Sequence, residues 1–507
     1  MLQSLQNLLT LPLDFQVIQP ELVYTCYAFI ILALAVLLPR DMEMFGIPGQ
    51  RWVAYLAILG TVLELAMLWS AAFWLSQAPG GSVLAWGGMF VLDRFALFFK
   101  GLFLLSGLLT MLMSVRYLEI ERAQAGEYYA LIMFAVVGMM FMVSARDLIL
   151  LFVGLETMSI STYVLAGYLK RDPRSNEGAL KYFLLGTFSS GLFLYGISLV
   201  YAVTGSTHLR SIADALAFRG FVNEPLMVLG LILMVVALGF KIAAVPFHMW
   251  VPDTYQGAPT AITAFFSTGV KAAAFSIVLR ILVEGMVEAR EHWALLLAIL
   301  SAASMTIGTL GALLQENVKR LLAYSSVAHA GYVLLGVLAA QEGIGETAEY
   351  GIVAVLVYLL AYTFMNMGAF GLVVSLRRGN LAGDMVDDFT GLAGRSPFAA
   401  FSMLVFMLSL AGIPATAGFI GKWYLFGAAI KSGYLWLAVI AVLTSAASLY
   451  YYLRIVVRMY MCDAKGAEQP KLSGALSLAL GLSLGFTILI GVYPQPFVRL
   501  AQQVILH

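Results

Sequence analysis

Cysteine is nearly absent from this chain: Cys26 and Cys462 are the only two in 507 residues. They lie too far apart in sequence to make a metal-binding pair or a disulfide framework. Iron–sulfur or haem ligation through cysteine is therefore excluded within the chain. Charge is scarce too, at 11% of residues, where a soluble domain carries roughly 25%. The net charge of +1 offers no basic surface for nucleic acid and no acidic tail. The five histidines are scattered and form no metal motif. Long polar insertions are also missing, so the expectation is one membrane domain, 1–507, with short loops. No cleavable leader stands out, and the first apolar run, near Leu22–Leu38, reads as a retained span.

What is abundant is apolar sequence. Hydrophobic residues make up 61% of the chain, and the mean hydropathy is +0.91. The bilayer is then the solvent for most of the protein. Runs of roughly 20 apolar residues, enough to cross a hydrocarbon core of about 30 Å, recur about fourteen times. They centre near residues 30, 65, 104, 135, 158, 190, 236, 271, 303, 328, 360, 412, 445 and 482. With an external N-terminus, the alternation of sides puts the excess of Lys and Arg on the cytoplasmic side, as the positive-inside rule requires. This predicts both termini outside.

Of the 29 basic residues, all but three are assigned to loops or helix ends, Lys100, Arg280 and Lys319 among them. The exceptions are Lys241, Lys271 and Lys422, which sit inside apolar runs. A charge at the bilayer centre costs at least about 2.5–3.5 kcal/mol. Lys271, eleven residues past Thr260, is expected roughly 16 Å deep, and Glu156, nine past Asp147, roughly 14 Å deep. Burial disfavours the charged form of such groups and an approaching opposite charge restores it. A lysine whose carboxylate partner can approach or retreat can thus be loaded and unloaded with a proton, which arginine cannot. The alternatives are a static buried ion pair or a lysine snorkelling to the interface. Snorkelling weighs more for Lys241, which lies nearer the end of its run. Lys181, which opens its helix beside a loop, is equally an ordinary interfacial lysine.

Proline interrupts two of these runs beside a lysine. One reads Gly239-Phe240-Lys241-Ile242-Ala243-Ala244-Val245-Pro246-Phe247-His248-Met249-Trp250. The other reads Ala411-Gly412-Ile413-Pro414-Ala415-Thr416-Ala417-Gly418-Phe419-Ile420-Gly421-Lys422. Pro246 and Pro414 each remove a helix donor and clash with the preceding turn. Open backbone survives in a membrane only where protein or water satisfies it, so paired breaks point to an ion pathway; a simple kink is the plainer reading. The halves of the chain also correspond weakly. A shift of 169 puts Tyr163-Val164-Leu165 on Tyr332-Val333-Leu334, and a shift of 173 puts Gly239 on Gly412. Two copies of five helices each, over 127–284 and 293–460, would have inverted topology. His248 and His329 add titratable side chains near the row, suited equally to relaying protons and to structural hydrogen bonds. Asp253, after Pro252, reads as structural more than functional.

Glu156 in Leu155-Glu156-Thr157-Met158-Ser159, the stretch from Lys241 to Pro259, and Leu410-Ala411-Gly412-Ile413-Pro414 with Lys422 together resemble the antiporter-like subunits of respiratory complex I. The likeness is nearest to the smallest of the three large ones. Lysine at 422 argues against the M-type subunit, which has glutamate there, and the lack of a long C-terminal lateral helix argues against the L-type. The resemblance implies an all-α fold of fourteen membrane helices with two inverted five-helix repeats and interrupted helices seven and twelve. It implies a proton-translocation row of Glu156 (helix five), Lys241 (seven), Lys271 (eight), His329 (ten) and Lys422 (twelve). The same resemblance implies a subunit of NADH:quinone oxidoreductase with no redox cofactor of its own. FMN, iron–sulfur clusters and quinone would belong to partner subunits. Other membrane and peripheral subunits, antiporter-like neighbours included, would surround the chain in a bacterial inner membrane. A subunit of a Na⁺(K⁺)/H⁺ antiporter or membrane-bound hydrogenase is the alternative, and a purely structural spacer a third.

Overall fold

The computed structural model describes residues 13–504, except 39–42, 45–46, 78–80, 124–125, 221, 223, 341–345, 378–382, 464–469 and 471. Both termini of the chain, expected outside, lie beyond the described residues. Among those residues, thirteen helices are long and apolar enough to cross a membrane. The first six are α1 (Gln19–Leu37), α2 (Gly49–Ser76), α3 (Arg94–Ile120), α4 (Glu127–Ser144), α5 (Leu148–Ala166) and α6 (Pro173–Thr204). The expected seventh helix is split into α7 (Pro225–Ile242) and the short α8 (Val251–Gly257). Then follow α9 (Thr260–Gly285), α10 (Arg290–Leu313), α11 (Val318–Ala339) and α12 (Glu346–Leu376). The crossing expected near 412 falls on two shorter helices, α13 (Pro397–Ala411) and α14 (Ala417–Lys431). The last three are α15 (Leu435–Met461), α16 (Gly474–Val492) and α17 (Gln495–Gln502).

α9 and α11, which carry Lys271 and His329, form the centre of the bundle together with α12. The apolar window of α9 is wholly buried, and those of α11 and α12 are 94% buried. Helices that are apolar all round belong in such positions. The outer helices instead turn large side chains outward, such as Trp69, Phe73 and Leu443, as a lipid-facing surface requires.

Close packing repeats along the chain. At the α4–α5 crossing a Cβ on Gly138 would lie 2.4 Å from the Met158 nitrogen and 2.6 Å from the Gly154 oxygen. At the α10–α11 crossing a Cβ on Gly308 would lie 2.5 Å from the Ala328 nitrogen and 2.9 Å from the Tyr324 oxygen. Each of these residues is displaced by 170 from its counterpart (308 − 138, 328 − 158, 324 − 154). The helix starts match as well. Asp147 caps α5 and pairs with His208, and Asn317, again 170 further on, caps α11 and pairs with Met385.

Two small antiparallel hairpins were not anticipated from the sequence. In the larger, β1 (Ser82–Ala85) pairs with β2 (Phe90–Asp93), with Ser82 opposite Asp93. It is held by charges that the sequence analysis had assigned to loops. Arg280 is fully buried within α9, and its Nη2 donates to both carboxylate oxygens of Asp93 at 2.9 Å. Its Nε donates to the Val143 carbonyl and its Nη1 to Glu284. Asp93 also caps α3 through the Ala96 N–H. Lys100 is likewise fully buried, and Lys319 is 5% exposed. The expectation that only lysines lie within the apolar runs is thus corrected: a short, largely apolar hairpin packed against the bundle brings Asp93 to Arg280 where the sequence suggested an end.

Removing one partner of a buried pair leaves the other uncompensated, so Asp93→Ala is expected to destabilise by about 3–5 kcal/mol. The double replacement Asp93→Leu/Arg280→Met should recover most of the loss, measured by thermal unfolding of the purified protein. A single variant no worse than the double would contradict this account.

Candidate proton-relay site

The break between α7 and α8 begins where Ala243 turns to φ +63° and ends the helix. The backbone groups set free find partners. The Val245 N–H donates to Ser304 Oγ at 2.9 Å, and the Trp250 indole N–H donates to the Phe240 carbonyl at 3.2 Å. Pro246 and His248 both lie in the connecting turns. In the second break Gly412 ends α13 at φ +88°, and Ala415 adds a second positive φ of +68°. Pro414 lies between them. Gly418 N–H donates to Ser409 Oγ at 3.0 Å.

Each lysine of the row then meets neutral oxygen. Lys241, in the last turn of α7, donates to Ser159 Oγ at 2.7 Å and to the Tyr163 hydroxyl at 3.5 Å, both on α5. Glu156, half-buried one turn before Ser159, accepts from Ser190 Oγ of α6 at 2.5 Å. Among the described residues no ion pair joins Glu156 to Lys241, although the two are within electrostatic reach. Lys271 follows a π-helical turn over Phe266–Val270, a local irregularity common at functional sites. It donates to the carbonyl and hydroxyl of Ser326 at 2.5 and 3.0 Å. Lys422, on α14, donates to the Leu410 and Ala411 carbonyls, both at 2.9 Å, and to Ser445 Oγ at 2.8 Å. It thereby caps the end of α13.

α11 connects the last two lysines. Ser326, His329 and Tyr332 recur every three residues and so share one face. His329 Nδ1 bonds the Tyr358 hydroxyl, and its Nε2 lies 3.0 Å from the Tyr452 hydroxyl, which in turn bonds Ser325. Tyr332 packs against the His329 ring, and Lys422 Nζ stands 5.3 Å over the Tyr332 ring. Among the described residues, no chain of hydrogen bonds joins Lys241 to Lys271. Between their helices Tyr182 stacks on Trp250 at 4.5 Å and touches Phe266 at 5.6 Å.

Residues 145–448 match the family described as "NADH:quinone oxidoreductase/Mrp antiporter, TM". NADH-quinone oxidoreductase subunit N 1 of Koribacter versatilis is 48% identical over 502 residues, 98% of this chain and 96% of that protein. The chain belongs to the subunit N family of NADH-quinone oxidoreductases. Among solved structures, a chain of respiratory complex I from Thermus thermophilus with bound aureothin has a TM-score of 0.78 at 33% identity. The match covers 95% of this chain and 99% of that one. A chain of an archaeal membrane-bound sulfane sulfur reductase has a TM-score of 0.82 at 26% identity, with 96% of each covered.

Within this subunit N fold, the two accessory side chains stand apart from the row. Lys181 is 43% exposed and pairs with Glu177 at 2.7 Å and Asp253 at 2.6 Å. Arg320 bonds the other oxygen of Asp253 at 2.7 Å, so the cluster ties α8 to α6 and α11. His248 is half-buried, its ring 6.4 Å from the Tyr324 ring. Lys319 repeats the capping role of Lys422, donating to the Gln256 and Ala258 carbonyls at 2.8 and 2.7 Å at the end of α8. Sequence reasoning missed the hydroxyl partners Ser159, Ser190, Ser326, Ser445, Tyr358 and Tyr452. Spacing on α11 and α15 could have found Tyr332 and Tyr452, but serines in membrane helices are common and carried no signal alone. Among the described residues, no group of three or more His, Cys, Asp or Glu side chains could hold a metal ion.

A Cβ at Gly412 would lie 2.8 Å from Lys422 Cδ. Gly412→Ala is therefore expected to displace the ammonium from its two carbonyls, beyond the roughly 1–2 kcal/mol of left-handed backbone strain. Gly205→Ala, at φ +72° with nothing within 4 Å, should show the backbone cost alone. Thermal unfolding of the two variants side by side checks this, and equal losses would refute the steric part.

Proposed function

We propose that this chain is a proton-translocating membrane subunit of NADH:quinone oxidoreductase, and that Glu156, Lys241, Lys271, His329 and Lys422 carry the protons. One observation carries the site assignment: all three lysines are held by hydroxyls or carbonyls and none by a carboxylate. A serine hydroxyl accepts from an ammonium and can rotate to donate to a neutral amine. Such a partner serves both protonation states, whereas a contact ion pair favours one. The buried Lys100–Glu21 and Arg280–Asp93 pairs of the same chain show the static alternative.

Electron transfer from NADH to quinone takes place in other subunits, which hold the FMN and iron–sulfur clusters. In this reading it perturbs the balance between Glu156 and Lys241. Movement of Glu156 toward or away from Lys241 changes the proton affinity of the amine. The proton crosses the aromatic gap to Lys271, follows Ser326, His329 and the Tyr358 and Tyr452 hydroxyls, and reaches Lys422. His329 serves in the middle because its two ring nitrogens face different hydroxyls. Groups coupled this way titrate as a set. The repeat reading, five crossings each over 127–284 and 293–460, is supported by the common displacement of 170 at the glycine crossings and helix caps. An odd number of crossings per copy inverts the second copy relative to the first. The chain would lie in a bacterial inner membrane, both termini outside, among the other membrane and peripheral subunits of the complex.

Lys241→Met and Glu156→Gln are expected to lower proton pumping in vesicles driven by NADH at least tenfold, with the assembled complex retained. Normal pumping at normal quinone reductase rates would sink the assignment. Co-purification of FMN and iron–sulfur subunits with the chain separates this reading from an antiporter subunit, which would move Na⁺ without NADH.

A further inference from the structure

Three charged side chains meet inside α1, α2 and α3, outside both copies and away from the row. Glu21 of α1 and Lys100 of α3 are 0% exposed, and Glu64 of α2 is 2% exposed. Lys100 Nζ lies 2.6 Å from Glu21 Oε1 and 5.3 Å over the Phe90 ring. Glu64 is within electrostatic reach of both partners. Its Oε1 nevertheless has no hydrogen-bond partner among the described residues.

Charge counting sets the protonation. Two carboxylates and one ammonium, all ionised, would leave one uncompensated negative charge buried in the bundle, a costly arrangement. Among the described residues, Glu21 and Lys100 are the charged groups that act on Glu64. The remaining charged residues of α2 and α3 are Arg51, Arg94, Arg116 and Glu119, all toward helix ends. α4, which also packs on α2, has Glu127 alone, at its first position. The neighbouring groups are instead neutral: the Tyr24 hydroxyl and Thr61 Oγ1, 2.9 Å apart, lie one turn from Glu21 and Glu64 on their respective helices.

We propose that Glu21, Lys100 and Glu64 form a second buried proton-binding site, which holds one exchangeable proton independently of the row. Glu64 carries that proton while Glu21 and Lys100 remain a contact pair. When Glu64 releases it, the carboxylate formed shares Lys100 with Glu21. The proton passes to the Tyr24–Thr61 hydroxyl pair, which takes it up on one oxygen and gives a hydroxyl proton to water from the other. No bond other than O–H breaks or forms.

Infrared difference spectra of the assembled complex, wild type minus Glu64→Gln, test this in H₂O and D₂O. The expected result is a protonated-carboxyl C=O band that shifts in D₂O, is lost in Glu64→Gln and persists in Glu156→Gln. Lys100→Met should about double the band, because both carboxyls then take up protons. A purely structural ion cluster predicts no exchangeable band. The proposal is overturned by a band that Glu64→Gln leaves unchanged, or by one that does not shift in D₂O. If Glu64→Gln prevents assembly, Glu64→Asp keeps the acid and should move the band frequency; an unmoved band then rules the proposal out.

Discussion

A helix that stops inside a membrane leaves carbonyls that no lipid can bond, and this structure answers that demand with lysine. Lys422 donates hydrogen bonds to the Leu410 and Ala411 carbonyls at the end of α13, and Lys319 does the same for Gln256 and Ala258 at the end of α8. The negative end of each half-helix favours a cation there. The break and the buried charge are then one device: the interruption creates the acceptor, and the acceptor makes the lysine tolerable. Lys241 uses the other side of the same arrangement, sitting within the last turn of α7 and reaching across to α5.

Segments displaced by 170 share a frame and differ in its contents. With the displacement of 170, Glu156 of α5 corresponds to Ser326 of α11, and Ser159 corresponds to His329. The first segment presents the Ser159 hydroxyl to Lys241, with Glu156 one turn away and bonded by Ser190. The second presents a hydroxyl to Lys271 and an imidazole to two tyrosines. A carboxylate that can influence Lys241 therefore stands at one end, and hydroxyls and an imidazole lie between Lys271 and Lys422. The buried Glu21–Lys100–Glu64 cluster lies in α1, α2 and α3, ahead of the first of these segments.

Much of the fold was legible because the bilayer imposes a length. Runs of about twenty apolar residues gave the crossings, and proline between glycines gave both breaks. The row was legible for the same reason: Lys241, Lys271 and Lys422 interrupt apolar runs where a charge needs a use. Lys100 and Arg280 were placed in loops because Glu21 and Asp93, which hold them, lie 79 and 187 residues away (100 − 21, 280 − 93). No local pattern can carry such a pairing. The hairpin over Ser82–Asp93 was missed because each of its strands spans four residues, too few for a periodic signal.

By itself the sequence determined which side chains are costly in lipid, since that depends on residue type and depth along a single run. It determined the helix breaks too, because proline and glycine act on their own backbone. Only the tertiary structure decided what each buried charge rests on. Whether a lysine faces a carboxylate, as Lys100 does, or a hydroxyl, as Lys271 does, depends on which helices are neighbours and at what height they cross. That choice separates a fixed ion pair from a group able to exchange its proton, because a hydroxyl can bond either state of the amine and a carboxylate holds the charged one.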